Sequence, residues 1–136
     1  MSLSVVKAIV QRDDGCILAV QKREDHDSFM AGQWELPGGK QQPDETITDT
    51  IVRELREETG LMIDSFTVLA ETTMELPRSM HRVLGLVELD EPTVTLSAEH
   101  QSYRWVEPEH FRDLSLHRDA KYAIPVVEHL SFYREV

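Results

Sequence analysis

The order of apolar segments predicts an α+β domain, with strands layered against helices. Three observations carry this. Short β-branched apolar runs separated by turn residues fill most of the chain, one amphipathic helical stretch stands near the middle, and a second helical stretch closes the sequence. Sheets and helices each have an apolar side to bury, and stacking them in layers is the stable solution. The length of 136 residues suits a single domain, 1–136, with a real core.

Val5 to Gln11 is apolar and β-branched and reads as a strand. Arg12-Asp13-Asp14-Gly15 is a hairpin turn, and Cys16 to Lys22 is the returning strand. Arg23 to Gln33 is a polar loop. Trp34-Glu35-Leu36 is a short strand that delivers Pro37-Gly38-Gly39, and Lys40 to Glu45 leads into a helix from about Glu45 to Thr59. Ser65 to Leu76 alternates as a strand does, Pro77 to Met80 turns it, and His81 to Leu89 is the next strand. Val94 to Leu96 reads as a short edge strand, Ala98 to Gln101 as a polar loop, and Ser102 to Val106 as a strand carrying Tyr103 and Trp105. Pro108 opens a helical turn through Leu114, since proline suits the first helical position. Asp119 to Arg134 is the second long helix, with Ile124, Val127 and Leu130 on adjoining parts of one face. Pro125 is costly inside a helix, so this one starts near it or kinks there.

The stretch from Gly39 to Leu61, GKQQPDETITDTIVRELREETGL, is the most informative. Glu54, Glu57 and Glu58 stand at i, i+3 and i+4, within an arc of roughly 100° on a helix. Like charges this close repel, by a few tenths of a kcal/mol per pair, and hard divalent cations that take oxygen ligands relieve the repulsion. Ile51, Val52 and Leu55 fall on a different side, which gives the helix a buried side and a metal side. Thr46 or Asp44 caps its start; with Asp44, Ile47 stands at N3 and no capping box forms. Gly60 is where a left-handed cap belongs. Gly38 and Gly39 tolerate positive φ and let a ligand approach the backbone.

Gly39, five residues, Glu45, seven residues, Arg53-Glu54-Leu55, one residue, Glu57-Glu58, one residue, Gly60-Leu61 resembles a complete Nudix box. Its fixed identities and apolar positions arise by chance at a given start with probability on the order of 10⁻⁹. The resemblance extends more loosely from about Val5 to the last helix. It implies a mixed β-sheet between helices, an α/β/α sandwich. It also implies hydrolysis of a phosphoanhydride in a nucleoside diphosphate linked to another group, with Mg²⁺ or Mn²⁺ held by Glu54, Glu57 and Glu58. Arg53 is expected to orient a carboxylate; a surface salt bridge is the plainer alternative. Glu45 either reaches a metal through water or ties the loop to the helix. Many relatives add a later carboxylate as general base or fourth metal ligand, and Glu99 is the residue expected here, with His100 or a box glutamate as alternatives.

The segment WELPGGK is similar to MutT-type enzymes of nucleoside triphosphates, which would release a nucleoside monophosphate and pyrophosphate. MutT-type readers of oxidised guanine place an asparagine two residues before a proline in the last helix. Here Ala123 holds that place before Pro125, which speaks against that specificity. ADP-ribose or another nucleotide sugar is the alternative substrate, and a non-catalytic nucleotide-binding module is the alternative class. Such modules commonly lose box carboxylates, and this chain keeps them. Arg23 suits a phosphate oxygen or is a solvated loop arginine. Phe29 and Trp34 could stack on a base, but Trp34 reads as core. Arg78, His81 and Arg82 read as a solvated hairpin rather than a substrate contact.

Formal net charge is −11, from 14 basic and 25 acidic residues. This argues against polymeric nucleic acid, whose backbone needs clustered Lys and Arg, and leaves a small nucleotide possible because metal ions neutralise phosphates locally. No segment approaches a membrane span and no charged-then-apolar leader opens the sequence, so neither a membrane nor a secreted role is expected. Cys16 is the only cysteine, which fits a reducing cytoplasm, and it reads as a small buried hydrophobe. Base, sugar and oligomeric state, a homodimer included, are left open, because recognition sits on loops.

Overall fold

The first strand, β1 (Ser4–Gln11), organises the sheet because it is apolar on both sides. In a computed structural model that describes residues 4–23, 32–74 and 79–134, its Val6, Ala8 and Val10 face one core cluster and its Ile9 the other. β2 (Ile17–Lys22) repeats the division, with Leu18 and Val20 on one side and Ile17 and Ala19 on the other. A strand buried on both faces needs helices on both. The helix α1 (Ile47–Thr59) covers one with Ile51 and Leu55, and α2 (Ile124–Arg134) covers the other with Val127.

The remaining strands are β3 (Trp34–Glu35), β4 (Gly38–Lys40), β5 (Thr67–Met74), β6 (Met80–Glu88) and β7 (His100–Val106). The described strands form a mixed sheet in the order β3-β2-β1-β6-β5, with β7 added on β2 and β4 on β1. β1 runs parallel to β6 from the pair Ser4 and His81 to the pair Gln11 and Glu88. Its other edge is shared. Near its end it meets β2 at Gln11 and Ile17, and near its start it pairs with β4, Val6 against Gly39. The Pro37-Gly38-Gly39 corner fills the gap, and the Ala8 N–H donates to the Pro37 carbonyl at 2.9 Å.

The local chemistry of α1 decides its ends. Thr46 is the cap: its hydroxyl accepts from the Asp49 N–H (3.0 Å) and the Asp49 carboxylate accepts from the Thr46 N–H (3.1 Å), a closed capping box. Asp44 lies in the preceding turn with φ 69°. The helix therefore begins two residues later than expected. Gly60 ends it at φ 72°, in the left-handed region.

Some expectations are corrected. Val94 to Leu96 is not a strand, because its neighbourhood donates to the end of α1 instead: Thr95 N–H to the Thr59 carbonyl (2.8 Å) and Ser97 N–H to the Glu58 carbonyl (3.0 Å). Gly38 to Lys40, read partly as loop, pairs as a strand, and the last strand starts earlier, at His100. The closing helix divides at the proline: Arg118–Ala123 is a 3₁₀ segment, and α2 starts at Ile124 with Pro125 in its first turn, where no intrahelical donor is needed. Pro108–Asp113 is likewise 3₁₀. Trp34 is core, as expected. Cys16 is half-buried beside the hairpin turn rather than inside, and burial pushes its thiol upward. No helix among the described residues is long and apolar enough to cross a membrane.

Candidate active site

The Pro37-Gly38-Gly39 corner meets α1 at the mouth of a cavity of about 470 Å³, a size that takes a small organic ligand. Gly38, Gly39, Glu54, Glu58 and Glu99 all line it. Close approach at the corner depends on the glycines. A Cβ on Gly39 would lie 2.5 Å from the carboxyl carbon of Glu54, so the missing side chain is what lets Glu54 pack on the backbone. Gly39→Ala is expected to displace the Glu54 carboxylate, lowering divalent-ion affinity or activity by about 10–100-fold. Thermal unfolding in chelator should hardly move, since a flexible side chain can yield. Unchanged Mn²⁺ affinity in calorimetry would refute this account of Gly39.

The helix carboxylates have distinct surroundings. Glu54 and Glu57 both accept from Arg53 Nη1, at 2.9 and 3.2 Å. Arg53 Nε and Nη2 donate to Glu45 at 2.7 and 3.0 Å, and Nη2 also to the Lys40 carbonyl. Arg53 thus orients two box carboxylates and fixes the loop before them. Hydrogen bonds from Arg53 and from the Gln42 N–H hold the Glu45 carboxyl at about 2. Glu45 is the tie between loop and helix, completed by the Thr50 hydroxyl at 3.1 Å. Glu57 is half-exposed and stands outside the cavity lining.

Glu58 is buried, 5 % exposed, and accepts from the Gly38 N–H at 3.2 Å. Burial, with the nearby charges of Glu54 and Glu35, pushes its carboxyl up to about 8, against the pull of Lys7 and the Gly38 amide. A buried carboxylate short of positive charge, among other carboxylates of one cavity, is a donor set that suits a hard divalent cation. The residues fit such an ion.

Beneath the corner lies a polar group that local sequence patterns do not announce. Glu35 is 7 % exposed and meets Lys7 Nζ and Lys22 Nζ at 3.3 Å each and His100 Nε2 at 2.9 Å. Burial alone would raise the Glu35 carboxyl, but Lys7, the His100 hydrogen bond and Lys22 outweigh it and hold it well below the usual range. The signal available was a lone lysine in an apolar strand and a glutamate between Trp34 and Leu36.

Met80, Arg82, His117, Asp119, Ala120 and Tyr122 also line the cavity. Arg82 is buried, not a solvated hairpin residue; its Nη2 donates to Asp119 Oδ1 at 2.8 Å, and its guanidinium lies 5.1 Å from the centre of the Tyr122 ring. The Tyr122 hydroxyl is buried without a partner among the described residues. His81 is held away by Ser4 and Glu71. His100 is not among the lining residues and bonds Glu35, which is. Arg23 is exposed just past β2 and outside the lining, while Phe29 and Arg78 fall outside the described residues. A separate trio, Glu107, Glu109 and His110, brings ligand-type atoms within 4.8 Å of one another. It is exposed, lies away from the cavity, and pairs His110 with Asp113 and Glu107.

The chain is similar to known proteins in sequence and in fold. The Nudix domain family matches residues 1–130. A CTP pyrophosphohydrolase of Escherichia coli (strain K12) is 37 % identical over 110 residues, covering 79 % of this chain and 77 % of that protein. Nucleoside triphosphatase NudI of Salmonella arizonae is 30 % identical, covering 79 % and 84 %. Among solved structures, the E. coli ORF135 protein superposes with a TM-score of 0.78 at 35 % identity, covering 98 % and 91 %, and the MutT protein of Methanosarcina mazei Go1 with 0.80 at 26 %, covering 99 % and 96 %. The matched length and the shared fold show that the chain belongs to the Nudix domain family, as a MutT-like hydrolase acting on acid anhydrides.

Proposed function

We propose that this chain, as one catalytic unit over residues 1–136, hydrolyses the α–β phosphoanhydride of a nucleoside triphosphate to a nucleoside monophosphate and pyrophosphate. The observation that carries it is a single cavity lined both by the carboxylates Glu54, Glu58 and Glu99 and by a paired Arg82 and Asp119. Glu54, Glu57, Glu58 and Glu99 would hold Mg²⁺ or Mn²⁺, which would supply charge neutralisation at phosphorus and acidify a water. Glu99 accepts the proton of the attacking water or completes the ligand set. Arg53 keeps Glu54 and Glu57 oriented, and the Gly38 and Gly39 backbone lets the phosphates come close.

Asp119 offers an acceptor and Arg82 a donor side by side in the same cavity. That order suits a Watson–Crick edge with an exocyclic amine beside a ring acceptor, as cytosine and adenine have and as uracil and guanine do not on that edge. The CTP pyrophosphohydrolase relative supports the cytosine choice. The lone cysteine suits a reducing cytoplasm.

The experiment is pyrophosphate release across ribo- and deoxynucleoside triphosphates and ADP-ribose, with Mg²⁺, Mn²⁺ or chelator. Expected are metal-dependent turnover, kcat/KM for cytidine and adenosine triphosphates at least tenfold above uridine and guanosine triphosphates, and no activity in chelator. Faster hydrolysis of ADP-ribose would replace the substrate class, and nucleotide binding without turnover would replace the enzyme by a binding module.

A further inference from the structure

We propose that His100, gripped by the buried carboxylate of Glu35, is a positioning residue that fixes where Glu99 stands opposite the carboxylates of α1. The inference rests on the role given to Glu99 above, and supplies the reason an exposed carboxylate on a loop holds one place.

Glu99 lies between two anchors. Upstream, the Ser97 N–H donates to the Glu58 carbonyl at 3.0 Å and the Thr95 N–H to the Thr59 carbonyl at 2.8 Å. These carbonyls belong to the last turn of α1 and lack intrahelical donors, so the segment is tied to the helix that carries Glu54 and Glu58. Downstream, His100 is 4 % exposed, with Nε2 at 2.9 Å from Glu35 Oε2. Between the two anchors the His100 N–H donates to the Ser97 carbonyl at 3.4 Å, closing a turn that contains Glu99, and Glu99 lines the same cavity as Glu35.

Glu35 also connects to the other half of the site. Its partner Lys7 reaches the Gly38 carbonyl at 3.4 Å, and the Gly38 N–H holds Glu58. One buried carboxylate is therefore joined to the corner that places Glu58 and to the strand that places Glu99. Stability alone does not favour such a group. Buried ion pairs are often matched or bettered by apolar residues of equal volume, and His100 Nδ1 is buried without a partner among the described residues, a further cost. What an apolar pair could not supply is a directional bond that sets the rotation of the backbone next to Glu99.

The test is a double-mutant cycle on the full chain with Mg²⁺ and the best nucleoside triphosphate of the panel. His100→Ala is expected to lower kcat about 10–30-fold, part of the 10²–10⁴-fold a general base contributes, with KM within twofold. In the Glu99→Gln background the same change should cost less than twofold. His100→Gln, which keeps a donor near the place of Nε2, should restore most of the rate. In metal-free protein, hydrogen exchange of the Glu99 and His100 amides should rise at least fivefold in His100→Ala and stay near wild type in His100→Gln, with the amides of α1 unchanged. Equal losses in both backgrounds, or exchange rising across the whole sheet, would mean that His100 is merely structural and overturn the proposal while leaving the role of Glu99 intact. A normal rate in Glu99→Gln itself would instead remove the role assigned to Glu99, and the proposal with it.

Discussion

Glu58→Gln should lower turnover about 10³-fold or more and, without metal, make the protein more stable. The rate falls because an amide is a poor ligand for a hard cation, and charge stabilisation by a bound ion is worth several kcal/mol. The stability gain follows from the carboxyl at about 8. In the unfolded chain it titrates near 4.5, so between about 4.5 and 8 the folded state holds the extra proton. Wherever the folded state binds more protons, stability falls as pH rises. The favourable protonated state is complete below about 4.5 and is lost as pH passes through 8. A tenfold change in proton affinity is about 1.4 kcal/mol, so ionised Glu58 costs the fold on the order of a few kcal/mol. Glutamine removes the charge and still accepts from the Gly38 N–H. Unfolding in chelator at pH 6 and 9 should show wild type losing stability relative to the variant by several degrees, with Mg²⁺ reversing the order. Parallel pH profiles for the two proteins would refute it.

Gly38→Ala should cost about 3–5 kcal/mol, from backbone strain plus a steric clash. Gly38 has φ 140°, a region L side chains rarely adopt, and its Cβ would fall 2.1 Å from the Val6 carbonyl oxygen and 2.8 Å from Lys7 Cα. Both neighbours are backbone of β1 and cannot swing aside as Glu54 can at Gly39. Against a total stability of about 5–15 kcal/mol, the variant should unfold well below wild type in denaturant. A midpoint within a few tenths of wild type would show that the corner can rebuild itself.

The contrast between these glycines shows what a sequence reveals. The helix was legible because its signals are local: cap, box spacing, apolar side and terminal glycine lie within one run from Thr46 to Gly60. Glu54 and Glu58 lie within that run and the glycine corner shortly before it. Pro125 gave the start of α2 for the same reason, although the 3₁₀ turn before it did not show. The segment at Val94 to Leu96 misled because its composition suits a strand while its backbone donors are claimed by the end of α1, far away in sequence. Glu35, Lys7 and His100, and likewise Arg82 with Asp119, come from separate strands and turns, and no periodicity records which charges the sheet will bring together. Arg82 reads as solvated in sequence because its burial is set by the 3₁₀ segment that begins at Arg118.

The parallel pairing of β1 with β6 also governs how the chain reaches its folded state. Ser4 and His81 are 77 residues apart, and a loop of that length must close before the contact returns any energy. Non-local pairing of this kind belongs to the slower range of single-domain folding, milliseconds to seconds. During synthesis the apolar first strand must wait for nearly two-thirds of the chain to emerge before its main partner exists. Until then its hydrogen-bonding edge is open to other chains, and aggregation competes with folding.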